Sequence, residues 1–169
     1  MTRRVLVRML MDLERRRPDP AEPAPSVSDT DSSGGRARRA IARSRITMQP
    51  ETAKKVASNE MNKGDVLGTA RFAGVQAAKE ADACLPLCDS VLVNDVTVGF
   101  SVGVDFIEVE ASTRSASDSG VDMHALTAAT VVALTVCDMC KSVDRTMAIG
   151  PVSLVNQDNG RARPGPSGK

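Results

Sequence analysis

Asp138 and Lys141 are the residues whose types and spacing point most directly to chemistry. They lie three positions apart at the end of a long apolar stretch, so on a helix both side chains leave the same face and can touch. A surface ion pair is the simpler interpretation of that spacing. A position at the edge of a core favours function, because desolvation can tune a proton donor and acceptor there.

A second candidate is the tripeptide Lys63-Gly64-Asp65, which precedes a predicted helix. Backbone N–H groups together with a lysine at a helix N-terminus suit a phosphate group. Capping of the helix by the Asp65 carboxylate explains the same residues without any ligand. Both interpretations stay open from these residues alone.

The only histidine, His124, follows Asp122 and Met123 near the predicted start of the long helix. An isolated histidine near a helix start is more often a surface residue than a catalyst. If the helix is continuous, His124 and Asp138 lie about 21 Å apart at the usual rise per residue. They can share one small-molecule site only if another subunit contributes one of them. Otherwise the chain has two sites.

The four cysteines form two pairs with spacings that zinc sites use, Cys84 with Cys88 and Cys137 with Cys140. Cys137 and Cys140 lie inside the predicted helix, without the turn of a zinc knuckle. Buried thiols that act as small hydrophobic side chains are therefore favoured. A structural zinc site is the alternative.

The elements that must position these residues follow from hydrophobic periodicity and from helix start and stop signals. Gly68 and Gly74 fall inside the second predicted helix and would weaken it unless close packing requires them. The order of the predicted helices and strands along the chain predicts an α+β fold, a ferredoxin-like (split βαβ) antiparallel sheet with helices on one face. The predicted elements are a strand at 45–48, helices at 50–59 and from 65 to before Pro86, strands at 96–104 and 107–113, a helix at 124–143 and a strand at 152–155.

Charge is divided unevenly along the chain. Residues 1–45 hold 11 arginines against 6 acidic residues, whereas residues 46–157 hold 8 lysines and arginines against 14 acidic residues. The composition predicts a disordered leader rich in Arg, Pro and Ser at 1–40, a globular domain at 41–157 and a flexible tail at 158–169. No run of 18 or more apolar residues occurs, so no transmembrane segment is predicted.

The basic leader has three interpretations. It resembles an organellar transit peptide in its arginines, but Asp12 and Glu14 disfavour that function. An unprocessed flexible segment is the second interpretation. Nucleic-acid binding is the weakest, because no aromatic residues accompany the arginines. The compartment stays open between the cytoplasm and the mitochondrial matrix, since reduced thiols suit either.

Four segments together resemble the MoaC family of cyclic pyranopterin monophosphate synthases in molybdenum-cofactor biosynthesis, over about residues 46–154. They are KGDVLGTARFAGVQAAK, LPLC, GVDMHALTAATVVALTVCDMCKSVDRTM and IGP. The resemblance implies a ferredoxin-like fold. It also implies conversion of (8S)-3',8-cyclo-7,8-dihydroguanosine 5'-triphosphate to cyclic pyranopterin monophosphate and diphosphate, with no metal or redox cofactor.

The resemblance further implies which residues act. Lys63 and Lys141 fall on the family's catalytic lysines, and Asp138 falls on its acid–base aspartate. The implied substrate-binding residues are Cys88, Asp89, Asp122, Met123 and His124. The implied partners are the GTP-derived cyclic nucleotide and copies of the same chain, in a homohexamer (a trimer of dimers) with the pocket at a subunit interface. Neither nucleic acid nor a membrane is implied.

The chain departs from the family's pattern within the predicted pocket. The family has a histidine at the position of Asp89, and glutamates at the positions of Asp122 and His124. If Asp89 and His124 face each other, the acid and the imidazole have exchanged places and the pair is retained with reversed polarity. Independent drift of the two positions is the alternative.

Further departures remove positive charge. The family's lysine near Gln157 is missing, and upstream Asp29 and Ser33 stand where the family has a motif that ends in lysine. Loss of cations should weaken the binding of a triphosphate. The alternative function is therefore a catalytically impaired relative that binds a nucleotide or acts as an oligomeric partner.

Overall fold

The computed structural model describes residues 38–117 and 119–158, with only the backbone described at 156–158. Most of the predicted leader and tail lies outside the described residues, as do Asp29, Ser33 and the segment 159–161. In chain order the elements are β1 (Arg38–Thr47), α1 (Pro50–Ala57), α2 (Val66–Lys79), α3 (Ala81–Cys84), β2 (Asp95–Val102), β3 (Phe106–Ser115), α4 (Asp122–Cys140) and β4 (Ala148–Asp158).

The four strands form one antiparallel sheet in the order β2-β3-β1-β4. Helices lie between β1 and β2 in the chain, and β3 separates these two strands in the sheet, which is the split βαβ arrangement. Helix α4 packs on β1, β3 and β4, and α2 packs on α4 and β2. The predicted α+β, ferredoxin-like fold is confirmed.

Helix α4 forms the centre of the core, and its small side chains allow α2 to approach closely. A Cβ atom at Gly74 would collide with the side chain of Val132, so close packing explains the glycine in α2. By length and composition α4 could cross a membrane, but 50% of it is buried in the domain, as is usual for a core helix. Its fully buried apolar residues are Ala125, Ala128, Ala129, Val132, Ala133, Val136 and Cys140.

Strand β1 is longer than the predicted strand at 45–48, and it begins at Arg38, before the predicted domain boundary at 41. Its buried side consists of Ala40, Ala42, Ser44 and Ile46. Three of these residues are small, so the hydrophobic alternation is faint at the start of the strand. On the opposite face, cross-strand ion pairs join Arg43 to Glu110 at 2.7 Å and Arg45 to Glu108 at 3.2 Å.

Three further boundaries differ from the prediction. The second helix stops at Lys79 and is followed by the four-residue α3. Helix α4 ends at Cys140 rather than at 143, and a turn follows in which the amides of Val143 and Asp144 both donate to the Cys140 carbonyl. Strand β4 contains Pro151 rather than following it, which is possible because β4 pairs only with β1 at the sheet edge.

Candidate active site

The structure brings Lys63, Asp138 and Lys141 together at the C-terminal end of α4. The Lys141 Nζ donates a hydrogen bond to Asp138 Oδ1 at 2.6 Å, as the three-residue spacing predicted. The Lys63 Nζ donates to the backbone carbonyl of Asp138 at 2.9 Å. One ammonium group therefore bonds the Asp138 carboxylate and the other bonds its backbone carbonyl, so the cluster carries an excess of positive charge.

Asp138 is held in its ionised form by these neighbours. The hydrogen bond from Lys141 lowers the pKa of Asp138 below its ordinary value, and the positive charges of Lys141 and Lys63 act in the same direction. The Asp138 and Lys141 side chains are both mostly exposed to solvent. The ionised carboxylate is therefore accessible to a ligand, while the ammonium groups attract anions.

The loop before α2 places Lys63 beside α4. Gly64 has a φ of 89°, a conformation that residues with a Cβ rarely adopt, and its amide donates to the Met61 carbonyl at 2.9 Å. Asp65 caps α2 by accepting a hydrogen bond from the Gly68 amide at 2.9 Å. The predicted capping role of Asp65 is confirmed, and the tight turn before it directs the lysine to the end of α4.

The cluster of Lys63, Asp138 and Lys141 borders a cleft of about 610 Å³ at the end of α4. Its lining includes Asp138 and Lys141 but also Ser142, Asp144 and Arg145, which the sequence analysis did not identify. A signal was present, because an aspartate and an arginine follow directly after the predicted helix. The remaining lining residues are Cys137 and Met147.

The predicted substrate-binding residues lie around the other end of α4. His124 is 1% exposed, and the Cys88 Sγ lies 3.9 Å from its Nε2 and 4.0 Å from its Nδ1. Asp122 begins α4, and Met123 is partly exposed beside it. Asp89 follows Cys88 in the loop, and its carbonyl contacts the Cys88 thiol at 3.8 Å.

Burial keeps both members of the Cys88–His124 contact neutral. Burial lowers the pKa of His124, although the carboxylates of Asp82, Asp122 and Asp89 act in the opposite direction. Burial and the same three carboxylates raise the pKa of Cys88. A thiol in such surroundings is a poor nucleophile, because the reactive form is the thiolate. The contact therefore does not favour covalent catalysis by Cys88.

We expect a titration of His124 to give a pKa below 6.5, and the Asp89→Asn variant to lower that pKa further. The reason is that burial disfavours the imidazolium and the Asp89 carboxylate stabilises it. Because His124 is the single histidine, its ring signals in NMR spectra need no assignment. The exposed Asp95→Asn variant serves as the control. A pKa at or above 6.5 would contradict this account.

The lowered pKa of His124 also makes the stability of the fold depend on pH. Below about pH 6.5 the unfolded chain binds a proton that the native imidazole does not. The free energy of unfolding should therefore fall as the pH decreases from 6.5 to the native pKa of His124, and the His124→Gln variant should lack this component.

The two clusters lie at opposite ends of one continuous helix, since α4 runs from Asp122 to Cys140. Fourteen residues separate His124 from Asp138, which corresponds to about 21 Å. A single copy of the chain therefore keeps the two clusters of candidate site residues apart.

The cysteine pairs are not brought together as the zinc alternative required. Cys84 is exposed, Cys140 is buried, and within residues 38–117 and 119–158 no three His, Cys, Asp or Glu side chains are grouped to hold a metal ion. Burial raises the pKa of Cys140 to about 11, which agrees with the predicted buried hydrophobic role. The prediction is wrong for Cys84, which is exposed.

Comparison with known proteins gives a consistent result. The sequence matches the family described as "MoaC family" over residues 27–160. A relative from Roseiflexus sp. (strain RS-1), named cyclic pyranopterin monophosphate synthase, is 46% identical over 127 residues, which cover 74% of this chain and 80% of the relative. A protein of the same name from Chloroflexus aggregans is 44% identical over 128 residues, which cover 75% of this chain and 78% of the relative.

A third relative shows the same similarity within a longer protein. The molybdenum cofactor biosynthesis bifunctional protein of Chlorobaculum tepidum is 40% identical over 125 residues, which cover 74% of this chain and 40% of the relative. The range that matches the family contains both clusters at the ends of α4. This chain therefore belongs to the MoaC family.

Proposed function

We propose that this chain is a cyclic pyranopterin monophosphate synthase, a lyase of molybdenum-cofactor biosynthesis. Its substrate is (8S)-3',8-cyclo-7,8-dihydroguanosine 5'-triphosphate, and its products are cyclic pyranopterin monophosphate and diphosphate. The observation that carries the proposal is the convergence of Lys63, Asp138 and Lys141 at a cleft, in a chain 46% identical to a relative of that name. No comparison supports the alternative of an impaired relative.

Each member of the cluster has a role in the proposed reaction. Asp138 is ionised and accessible, so it accepts a proton from the substrate. Lys141 and Lys63 stabilise the phosphate charge and the charge that develops in the transition state.

The second cluster, Cys88, Asp89, Asp122, Met123 and His124, binds the part of the substrate that carries no phosphate. Its carboxylates repel phosphate groups, whereas the partly exposed thiol of Cys88, which packs on the buried His124, can exchange hydrogen bonds with a heterocycle. The Asp89 carboxylate raises the pKa of His124, as the exchange of acid and imidazole requires, but Asp82 and Asp122 raise it more. The side chain of Gln157 lies outside the described part of the structure.

We propose that one active site combines the two clusters from different copies, in a homohexamer built as a trimer of dimers. The separation of about 21 Å along α4 supports this arrangement, because one small substrate cannot span it within one chain.

Subunit mixing tests the shared site. The Lys141→Ala and His124→Gln variants should each have little activity alone. Coexpressed, they should form some sites with both intact ends, about a quarter of the total for random mixing. Oligomers built from one variant alone are the control, because none of their sites has both intact ends. Absence of any recovery, with mixed oligomers shown by mass spectrometry, would contradict the shared site.

The decisive test of the function is product formation. The native protein is incubated with the cyclised dihydro-GTP substrate, and the products are identified by mass spectrometry. Appearance of cyclic pyranopterin monophosphate and diphosphate is the expected result. Tight substrate binding without product would instead favour the impaired relative.

A further inference from the structure

Arg145 lines the cleft at the end of α4 and has no role in the reaction proposed above. Its side chain is exposed, and it makes no hydrogen bond or ion pair with any residue that the structure describes. Lys63 and Lys141, in contrast, are both bonded to Asp138. Arg145 therefore offers all its donors to a ligand without breaking an existing interaction.

Other arginines of the domain are engaged. Arg43 and Arg45 form ion pairs across the sheet, with Glu110 and Glu108. Arg71 donates to the Val98 carbonyl at 3.2 Å and lies over an aromatic ring. Arg145 differs from these three in that it lines a cleft and has its guanidinium unengaged.

The backbone on both sides of Arg145 is fixed by a buried carboxylate. Asp144 is 3% exposed and accepts hydrogen bonds from the Gln49 amide at 2.7 Å, the Thr146 amide at 2.8 Å and the Thr146 hydroxyl at 2.7 Å. The Gln49 side chain also donates to the Thr146 hydroxyl at 3.0 Å. These bonds tie the loop to the start of α1, so Arg145 projects from a rigid support and loses little backbone entropy on binding.

The charges of the cleft favour an anion. Lys141 and Arg145 line the cleft, and Lys63, bonded to the Asp138 carbonyl at its border, adds a third positive charge against the carboxylates of Asp138 and Asp144. The Asp144 carboxylate is directed into its own hydrogen bonds rather than into the cleft. A guanidinium suits phosphate in particular, since its planar donors match two phosphate oxygens at once.

We propose that Arg145 binds a phosphate group of the substrate, at the end that leaves as diphosphate, and that Asp144 positions it. This inference rests on the proposed function for the identity of the substrate. Arg145 stays protonated throughout, so it takes no part in proton transfer. It holds the phosphate chain next to Lys141 and stabilises the charge of the departing diphosphate.

Binding of inorganic diphosphate, measured by calorimetry, tests this inference without catalysis. The Arg145→Ala variant should bind diphosphate about 10- to 100-fold more weakly than the native protein, the factor expected for a lost hydrogen-bonded charge. Arg145→Lys should retain part of the affinity. Arg43→Ala, on the open face of the sheet, is the matched control and should bind normally.

Several outcomes would overturn the inference. They are unchanged affinity in Arg145→Ala, an equal loss in Arg43→Ala, and no binding of diphosphate by the native protein. Circular dichroism and thermal unfolding of Arg145→Ala should match the native protein, because the side chain is exposed.

Kinetics separate this inference from the proposed function. If the native protein forms product, the KM of Arg145→Lys should rise more than its kcat falls. If the native protein forms no product but binds diphosphate through Arg145, the proposed function fails and the phosphate site stands.

Discussion

Replacement of Lys141 by alanine is expected to lower kcat by a factor of about 10² to 10³, the loss typical for one charge-stabilising donor in an active site. The phosphate loses a cation that stabilises its developing charge, and this loss sets the expected factor. The pKa of Asp138 also rises toward its ordinary value, because its hydrogen bond from Lys141 is the largest cause of the present shift, but the carboxylate stays ionised at neutral pH.

The measurement is the rate of product formation at saturating substrate, followed by mass spectrometry. Lys55→Ala, on the exposed side of α1, is the matched control and should retain native activity. The double variant with Lys63→Ala should lose less than the product of the two single factors, because both lysines act on the same carboxylate. Native kcat in Lys141→Ala would refute the assigned role.

Replacement of Asp144 by alanine is expected to lower the free energy of unfolding by about 3 kcal/mol. The Gln49 amide, the Thr146 amide and the Thr146 hydroxyl would lose their acceptor, and so would the Thr52 side chain, whose hydrogen bond also lowers the pKa of Asp144. The Asp144→Asn variant keeps an acceptor oxygen without the charge, so its loss should be smaller, about 1–2 kcal/mol. Urea denaturation at neutral pH measures both values.

The contribution of Asp144 should also disappear in acid. Burial by itself raises the pKa of Asp144, but the hydrogen bonds from Gln49 and Thr146 outweigh it, and the pKa lies below the ordinary 3.8. The stabilisation is therefore present above about pH 4 and is lost as the pH falls through the native pKa. Asp95→Asn, an exposed residue, is the control. A loss below about 0.5 kcal/mol in Asp144→Ala would contradict the anchoring role.

Much of the fold could be predicted from the sequence because burial repeats with the period of each element. The alternation in β2 and β3, the Asp65 cap of α2 and the long apolar α4 are local signals, and they predicted the order of the ferredoxin-like fold. The start of β1 gave no such signal. Its buried face is built from Ala40, Ala42 and Ser44, so arginines on the open face dominate the pattern.

Part of the site was likewise encoded locally. Asp138 and Lys141 lie three residues apart, so helix geometry alone brought their side chains together. The distance between the two ends of α4 followed from helix length, and with it the expectation of a shared site. Family resemblance extended these predictions to Lys63 and Cys88, which local spacing could not connect to α4.

Only the tertiary structure decided which distant residues meet. Lys63 reaches Asp138 across 75 positions, Cys88 contacts His124 across 36, and Gln49 binds Asp144 across 95. Periodicity reports whether a residue is buried, but not which side chain it faces, because that depends on how elements pack in three dimensions. For the same reason Arg145 remained unassigned in the sequence: its exposure in a cleft, and its lack of a partner in the described residues, are properties of the packed molecule.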